Sequence, residues 1–205
     1  MIIRLNDEDV QWDTQGQLTL GDLLENFVKK RFFKDEFIAG MTVNGAEITE
    51  AEMGPVRTKL VSDVASLQIR TQTFRNVSVN ALESIGEYLD ELATVIVSSA
   101  NRFRSANEAE ANTHFVNCID GLQTFVGIID KIKTLNGLDF EKMTYKSRPI
   151  SEKEGALLTA LNAIHETQTR KDWVSLADTL EFELAPQIIE WKDVLSEVIS
   201  ALKAP

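Results

Sequence analysis

A single cysteine, Cys118, stands in the 205 residues, which excludes any intramolecular disulfide. That fits a reducing compartment, and with no membrane span or signal-peptide stretch in the sequence the cytoplasm is the expected location. Only two histidines are present, His114 and His165. Cationic charge is short as well: 21 Lys and Arg against 32 Asp and Glu leave a formal net charge of -11. Phosphate backbones and anionic lipid surfaces both call for clustered cations, so neither nucleic acid nor membrane is an expected partner. No run approaches the roughly 20 apolar residues that span a bilayer. Met1-Ile-Ile-Arg-Leu-Asn reads as a strand, without the apolar stretch of a signal peptide. What remains is 43% hydrophobic and 26% charged residues, the balance of a chain that buries one good core or two small ones.

The first seventy residues alternate. Met1, Ile3 and Leu5 share one face and Ile2, Arg4 and Asn6 the other, which is the period of a strand. Asn6-Asp7-Glu8-Asp9 is read as a polar turn, after which Val10 and Trp12 complete a hairpin. Thr19, followed three residues on by Asp22, predicts a helix start with Leu23, Leu24, Phe27, Val28 and Phe32 on its apolar stripe. Lys29, Lys30, Arg31 and Lys34 suit its C-terminal end. Asn44-Gly45 is a strong hairpin signal, because both central residues of a type I′ turn need positive φ. A loose stretch around Gly54-Pro55 then leads to "SLQIRT", a strand with Leu67 and Ile69 on one face. The order strand, strand, helix, strand, strand, strand is that of a β-grasp sheet crossed by one helix.

"MIIRLNDEDV", "TLGDLLE", "VNGAEI" and "LQIRT" together resemble the sulfur-carrier branch of the ubiquitin-like β-grasp proteins, over residues 1 to about 72. The resemblance implies the β-grasp fold. It also implies a reactive C-terminal glycine, and here the sequence departs. Thr71-Gln72-Thr73-Phe74 stands at that place with no Gly-Gly, and the frequent Asp-Gly-Asp before the last strand is replaced by Asp63-Val64-Ala65. Carrier chemistry then has no carboxylate to act on.

From Asn80 the period becomes helical. Leu82, Ile85, Leu89, Leu92, Ile96 and Phe103 form one seam, with apolar residues on a second face around Val95–Val97. That surplus is read as a helix packed from several sides; the competing reading is a groove for a partner helix. A polar corner, "SANEAEAN", precedes a second helix with Phe115, Ile119, Leu122, Phe125, Ile129 and Ile132, stopped at Asn136-Gly137. Residues 136–150 lack periodicity and are expected to form a long crossover with at most one helical turn, pinned by Phe140, Met143 and Tyr145. Ser151 and Glu154 have the spacing of a capping box for a third helix bearing Leu157, Leu158, Leu161 and Ile164. Asp172 is placed to cap a fourth, whose stripe runs from Trp173 to Leu202 straight through Pro186; a kinked but continuous helix is expected there. The segment "TQTFRNVSVN" contains no flexible linker. The assignment is α+β: a β-grasp domain over 1–74, then an antiparallel bundle of about four helices over 75–205. The pattern over 77–203 is also similar to helical export chaperones of the flagellin-chaperone type.

Candidate chemistry is sparse. His114 and Cys118 lie one helical turn apart, but zinc needs three or four ligands and only His165 could join them. The residues three before the histidines are Ala111 and Asn162, so the Glu-x-x-His pattern of di-iron bundles is absent. Asp178, Glu181, Glu183 and Glu190, with Lys192 and Arg170 nearby, read as a solvated acidic flank. Phe103 between Arg102 and Arg104 could stack a base, but acidic surroundings favour a packed phenylalanine. Phosphate loops of the G-x-x-x-x-G-K and G-x-G-x-x-G kinds are missing, as is the nucleophile elbow G-x-S-x-G. No catalytic, cofactor or metal residue is therefore assigned. A non-enzymatic interaction protein is expected, an adaptor or secretion-type chaperone with a protein partner and a possible homodimer. The alternatives are a degenerate or fused sulfur carrier, and an enzyme with a site near Phe74 and the crossover.

Overall fold

In the computed structural model, which describes residues 1–31, 35–105 and 108–204, the chain is a mixed α+β protein. It divides into two units, Met1–Val77 and Ser78–Pro205. Strands β1 (Ile2–Leu5), β2 (Glu8–Asp9), β3 (Glu36–Val43), β4 (Ala46–Glu47) and β5 (Ser66–Thr73) form one sheet in the order β2-β1-β5-β3-β4. β1 runs parallel to β5, with Ile3 beside Leu67 and Leu5 beside Ile69, while the other pairs are antiparallel. Alternation puts Ile3, Met41, Val43, Leu67 and Ile69 on the covered face. Leu20, Leu23, Leu24 and Phe27 of α1 (Leu20–Arg31) complete that core. Val28, expected on the same stripe, is exposed. Phe32 and Lys34 lie outside the described residues.

Side chains close to each end do the capping. The Asp22 carboxylate accepts from Thr19 N (3.0 Å) and Thr19 Oγ1 (2.8 Å), as the spacing predicts. The first hairpin is tighter than expected: Asn6 and Asp7, at φ 50° and 68°, make a two-residue turn, and Glu8 and Asp9 belong to β2. Asn44 and Gly45 (φ 52° and 81°) close the β3–β4 hairpin. The Asn44 side chain also grips β5, accepting from Ala65 N (2.7 Å) and Ser66 N (3.1 Å). The stretch expected to be loose is a helix, α2 (Glu50–Arg57). Its Glu52 carboxylate accepts from Thr49 N (2.9 Å) and Oγ1 (2.8 Å), and Pro55 forfeits only one bond in so short a helix.

Helix α3 (Phe74–Ser105) begins directly after β5, six residues before the expected start. Thr73 Oγ1 caps it by accepting from Asn76 N (3.0 Å), and Phe74 stacks on Phe37 (5.0 Å, 19°). The second unit continues with α4 (Glu108–Asn136), α5 (Ile150–Thr169), α6 (Trp173–Asp178) and α7 (Ala185–Lys203). The expected seam residues of α3 and Phe115, Leu122, Phe125, Ile129 and Ile132 of α4 are buried in one core, with Ile119 half-buried against it. Gly121 permits a close approach of α3: a Cβ there would stand 2.7 Å from Leu92 Cδ1, and Tyr88 OH donates to the Gly121 carbonyl (2.7 Å).

Three expectations for this unit need correction. Residues 136–150 hold a β-hairpin, β6 (Thr144–Tyr145) and β7 (Arg148–Pro149), turned by Lys146 and Ser147 at φ 49° and 64°. Phe140 and Tyr145 pin it to the core. The Ser151–Glu154 capping box does not form, because the hairpin delivers Pro149 as the N-cap of α5. The Met143 and Phe140 carbonyls accept from Ile150 N (2.9 Å) and Ser151 N (3.1 Å), and Glu154 pairs with Lys133 instead (2.6 Å). Leu158 lies on the outside of α5 rather than on its buried stripe. Around Pro186 the helix is continuous through a π-helical segment, Thr179–Leu184, in which Ala185 N donates to Leu180 O. The wider turn just before Pro186 relieves the ring's clash with the carbonyl four residues back. Asp172 caps α6 as expected, accepting from Ser175 N (3.1 Å).

Candidate functional site

The residues flagged for chemistry are drawn into packing and ion pairs. Cys118 is fully buried, and burial pushes its thiol up to about 12, which leaves it protonated and unreactive. His114 Nδ1 lies 3.0 Å from Ser99 Oγ, a buried hydroxyl that also donates to Val95 O (2.9 Å). Among the described residues no group of three or more His, Cys, Asp or Glu side chains is placed to hold a metal ion. Phe103 is buried, stacked on Trp173 (5.2 Å, 12°) and edge-on to Phe115 (5.6 Å, 73°). Its flanking arginines are paired rather than free: Arg102 with Glu110 (2.6 Å), and Arg104 with both Asp178 (2.7 Å) and Glu181.

The acidic flank of the last helices is likewise engaged. Glu190 receives Lys153 (2.6 Å) and Lys146 (3.3 Å), and those two cations hold its carboxyl below the usual carboxylate range. Lys192 pairs with Asp90 (2.7 Å) and Arg170 with Glu166 (3.2 Å). Such pairs at the surface each contribute little to stability, but together they tie α3, the β6–β7 hairpin and α5 to α6–α7.

Unfilled apolar surface appears elsewhere, between α4 and α5. A cavity of 160 Å³ is lined by Phe125, Val126, Ile129, Leu157, Leu158 and Trp191, with Leu161, Asp130 and Glu154 at its edge. An open cleft of 660 Å³ continues from it past Leu122, Ile119 and Ile164 to His165 and Gln168, sharing Val126, Asp130 and Leu161. The lower-numbered end of α4 faces the higher-numbered end of α5, so the two recesses form one groove. Gly127, with open space where a Cβ would stand, leaves its middle uncovered. Trp191, only 2% exposed, closes the floor and meets Phe125 edge-on (5.5 Å, 76°); its indole N–H is buried without a partner. Leu158, 60% exposed, and Val126, 42% exposed, stand at the lip. No lysine or arginine lines either recess, and Asp130 has no ion-pair partner among the described residues.

This groove is not where the periodicity pointed. The apolar surplus on α3 divides: Ile96 is fully buried and Val95 and Val97 pack against the same core. Val97 also lines an open cleft of 880 Å³ with Ala93, Pro186 and Ile189. The sequence signal for the α4–α5 groove is Val126, an exposed apolar residue off the main stripe of α4; Leu158 belonged to the expected stripe of α5 and is exposed instead.

Two family models match the chain. Residues 1–73 match the TP0873 N-terminal domain, and residues 80–194 match a domain of unknown function (DUF8042). Neither model is one of sulfur carriers or of export chaperones. No curated protein and no solved structure matches the chain. No helix among the described residues is long and apolar enough to cross a membrane. With its model spanning residues 80–194, more than half of the sequence, the chain belongs to the DUF8042 family.

Proposed function

We propose that the protein is a non-enzymatic adaptor, of the secretion-chaperone kind, that holds an apolar helical segment of a partner protein in the α4–α5 groove. The observation that carries the reading is the groove itself: a continuous apolar trough with Trp191 and Phe125 beneath it and Leu158 and Val126 at its lip. Helix-in-groove recognition uses anchors at helical spacing on such a surface. A sizeable recess lined by large apolar side chains is also where binding energy concentrates. The N-terminal unit, read as a ubiquitin-like β-grasp element, supplies a second recognition surface. Work in the cytoplasm is consistent with the single buried thiol.

Carrier chemistry is disfavoured by the run of the chain. Thr71, Gln72 and Thr73 are the last residues of β5, and the Thr73 hydroxyl is spent on capping α3. The carboxyl group that a sulfur carrier would activate is here a peptide bond into a helix. Incubation with ATP and a carrier-activating enzyme is expected to yield neither an adenylate nor a mass gain of one sulfur.

Photo-crosslinking tests the main reading. A crosslinking amino acid at position 158, in the full chain in its own cell, is expected to trap a partner through a segment with apolar residues at helical spacing. The same probe at position 174, even more exposed in the same unit but outside the groove, is expected to trap none. Equal yields from both positions, or trapping only from 174, would remove the groove from the function.

A further inference from the structure

We infer that the occupant of the α4–α5 groove is a cationic amphipathic helix of three to four turns. The inference rests on the adaptor reading above and adds the length and the charge of the segment. Length comes from the trough, which follows α4 from Ile119 to Asp130 and α5 from Glu154 to Gln168. At 1.5 Å per residue the walls are about 16 Å and about 21 Å long, the length of three to four helical turns. Helical form comes from the shape of the trough, an apolar floor of Leu122, Phe125, Ile129, Leu157, Leu161 and Trp191 running between two helices, with Val126 and Leu158 at the lip and Asp130 and Glu154 among its polar lining.

Charge comes from that polar lining. Asp130 lines both recesses and has no ion-pair partner among the described residues. Glu154 lines the smaller recess and is paired with Lys133 (2.6 Å). No lysine or arginine lines either recess. The groove also belongs to a chain of net charge -11, so the field around it draws in positive segments and slows negative ones. A lysine or arginine one turn from an apolar anchor would reach Asp130 while the anchor fills the 160 Å³ cavity. A second copy of this chain is a poor occupant, because it would bring the same carboxylates and the same excess negative charge to the contact.

Fluorescence anisotropy on the full chain tests this with two labelled 18-residue peptides. Both carry leucines on one helical face; the opposite face carries lysines in one and glutamates in the other. The lysine peptide is expected to bind at least about tenfold more tightly at low salt, with the difference shrinking as salt is added. Asp130→Asn is expected to weaken the lysine peptide about two- to fivefold and leave the glutamate peptide unchanged or slightly improved. Leu158→Gln is expected to weaken both, and circular dichroism of each variant checks that the helical unit is intact. If the two peptides bind alike and Leu158→Gln weakens both, the charge inference is wrong and the groove reading stands. If neither binds, both fail. Lysine-peptide binding that ignores both substitutions marks diffuse attraction to an acidic surface and overturns the inference. So does a dimer, seen by sedimentation, that Leu158→Gln dissolves.

Discussion

The N-terminal and helical units face the same task, satisfying backbone groups where helices and strands end, and they meet it with different partners. In the N-terminal unit the partners are side chains a few residues away: Asp22 for Thr19 and Glu52 for Thr49. Asparagines at the two hairpin turns also reach across to β5, Asn6 to Thr71 N (2.8 Å) and Asn44 to Ala65 and Ser66. In the helical unit main-chain carbonyls brought in by folding take over at the start of α5, Met143 O for Ile150 and Phe140 O for Ser151. Inter-helix ion pairs such as Lys133–Glu154 and Lys203–Glu83 hold the outer faces. The difference teaches where local sequence speaks for itself. A cap made by a named side chain three residues away leaves a trace in the sequence, and a cap made by a carbonyl leaves none.

Four experiments would sharpen or break this contrast. The largest effect is expected within α5, where neighbouring leucines have opposite roles. Leu157→Ala removes a buried side chain and should cost about 2–5 kcal/mol in denaturant unfolding. Leu158→Ala, at the lip of the groove, should stay within about 0.5 kcal/mol. Comparable losses would mean that Leu158 is core and the groove is closed in solution. Next comes Asn44→Ala, which puts a Cβ-bearing residue without a side-chain cap at φ 52° and frees the amides of Ala65 and Ser66 at the start of β5. A loss of about 1–3 kcal/mol is expected, read as faster hydrogen exchange at Ala65 and Ser66. If those amides stay protected, the asparagine is not the clamp on β5.

The helical unit's hairpin turns on Lys146 and Ser147, neither of them a residue that favours positive φ. Ser147→Gly should therefore stabilise the protein by about 0.5–1 kcal/mol, visible as a higher melting temperature, whereas a drop would show that the serine earns its place. The smallest effect is that of pH on the N-terminal caps. The hydrogen bonds from Thr19 and Thr49 hold the Asp22 and Glu52 carboxyls below their ordinary range. Their contribution is therefore complete above about pH 5 and fades as pH falls through the ordinary carboxylate range to the depressed folded values. Asp22→Ala and Glu52→Ala together should flatten this acid limb in pH-dependent unfolding; an unchanged limb would assign the acid sensitivity elsewhere.

Much of the fold was legible in the sequence for the reason this contrast supplies. Alternation over residues 1–6 and 66–71, the Thr19–Asp22 spacing and Asn44-Gly45 are short-range statements, and the structure contains each of them. α2 left a trace too, the capping-box spacing of Thr49 and Glu52, but Gly54-Pro55 in the same stretch reads as a loop. The β6–β7 hairpin was hidden because Lys146-Ser147 carries no turn signature, and the fit of Tyr145 and Phe140 into the core decides it. The groove was hidden for a further reason. Leu157 and Leu158 are the same residue type one position apart, and only the neighbouring helices determine which of them is covered.

By itself the sequence determined the α+β class, the change from strand period to helix period, and most of the residues that fill the two cores. Hydrophobic burial is set by side-chain type and spacing, and spacing is written in the chain. The tertiary structure alone decided that α4 and α5 leave a trough between them, that Pro186 is met by a wider helical turn, and that Glu154 serves Lys133 rather than its own helix end. Each depends on where a second segment lies, and that position follows from the packing of the whole unit rather than from any stretch of residues within it.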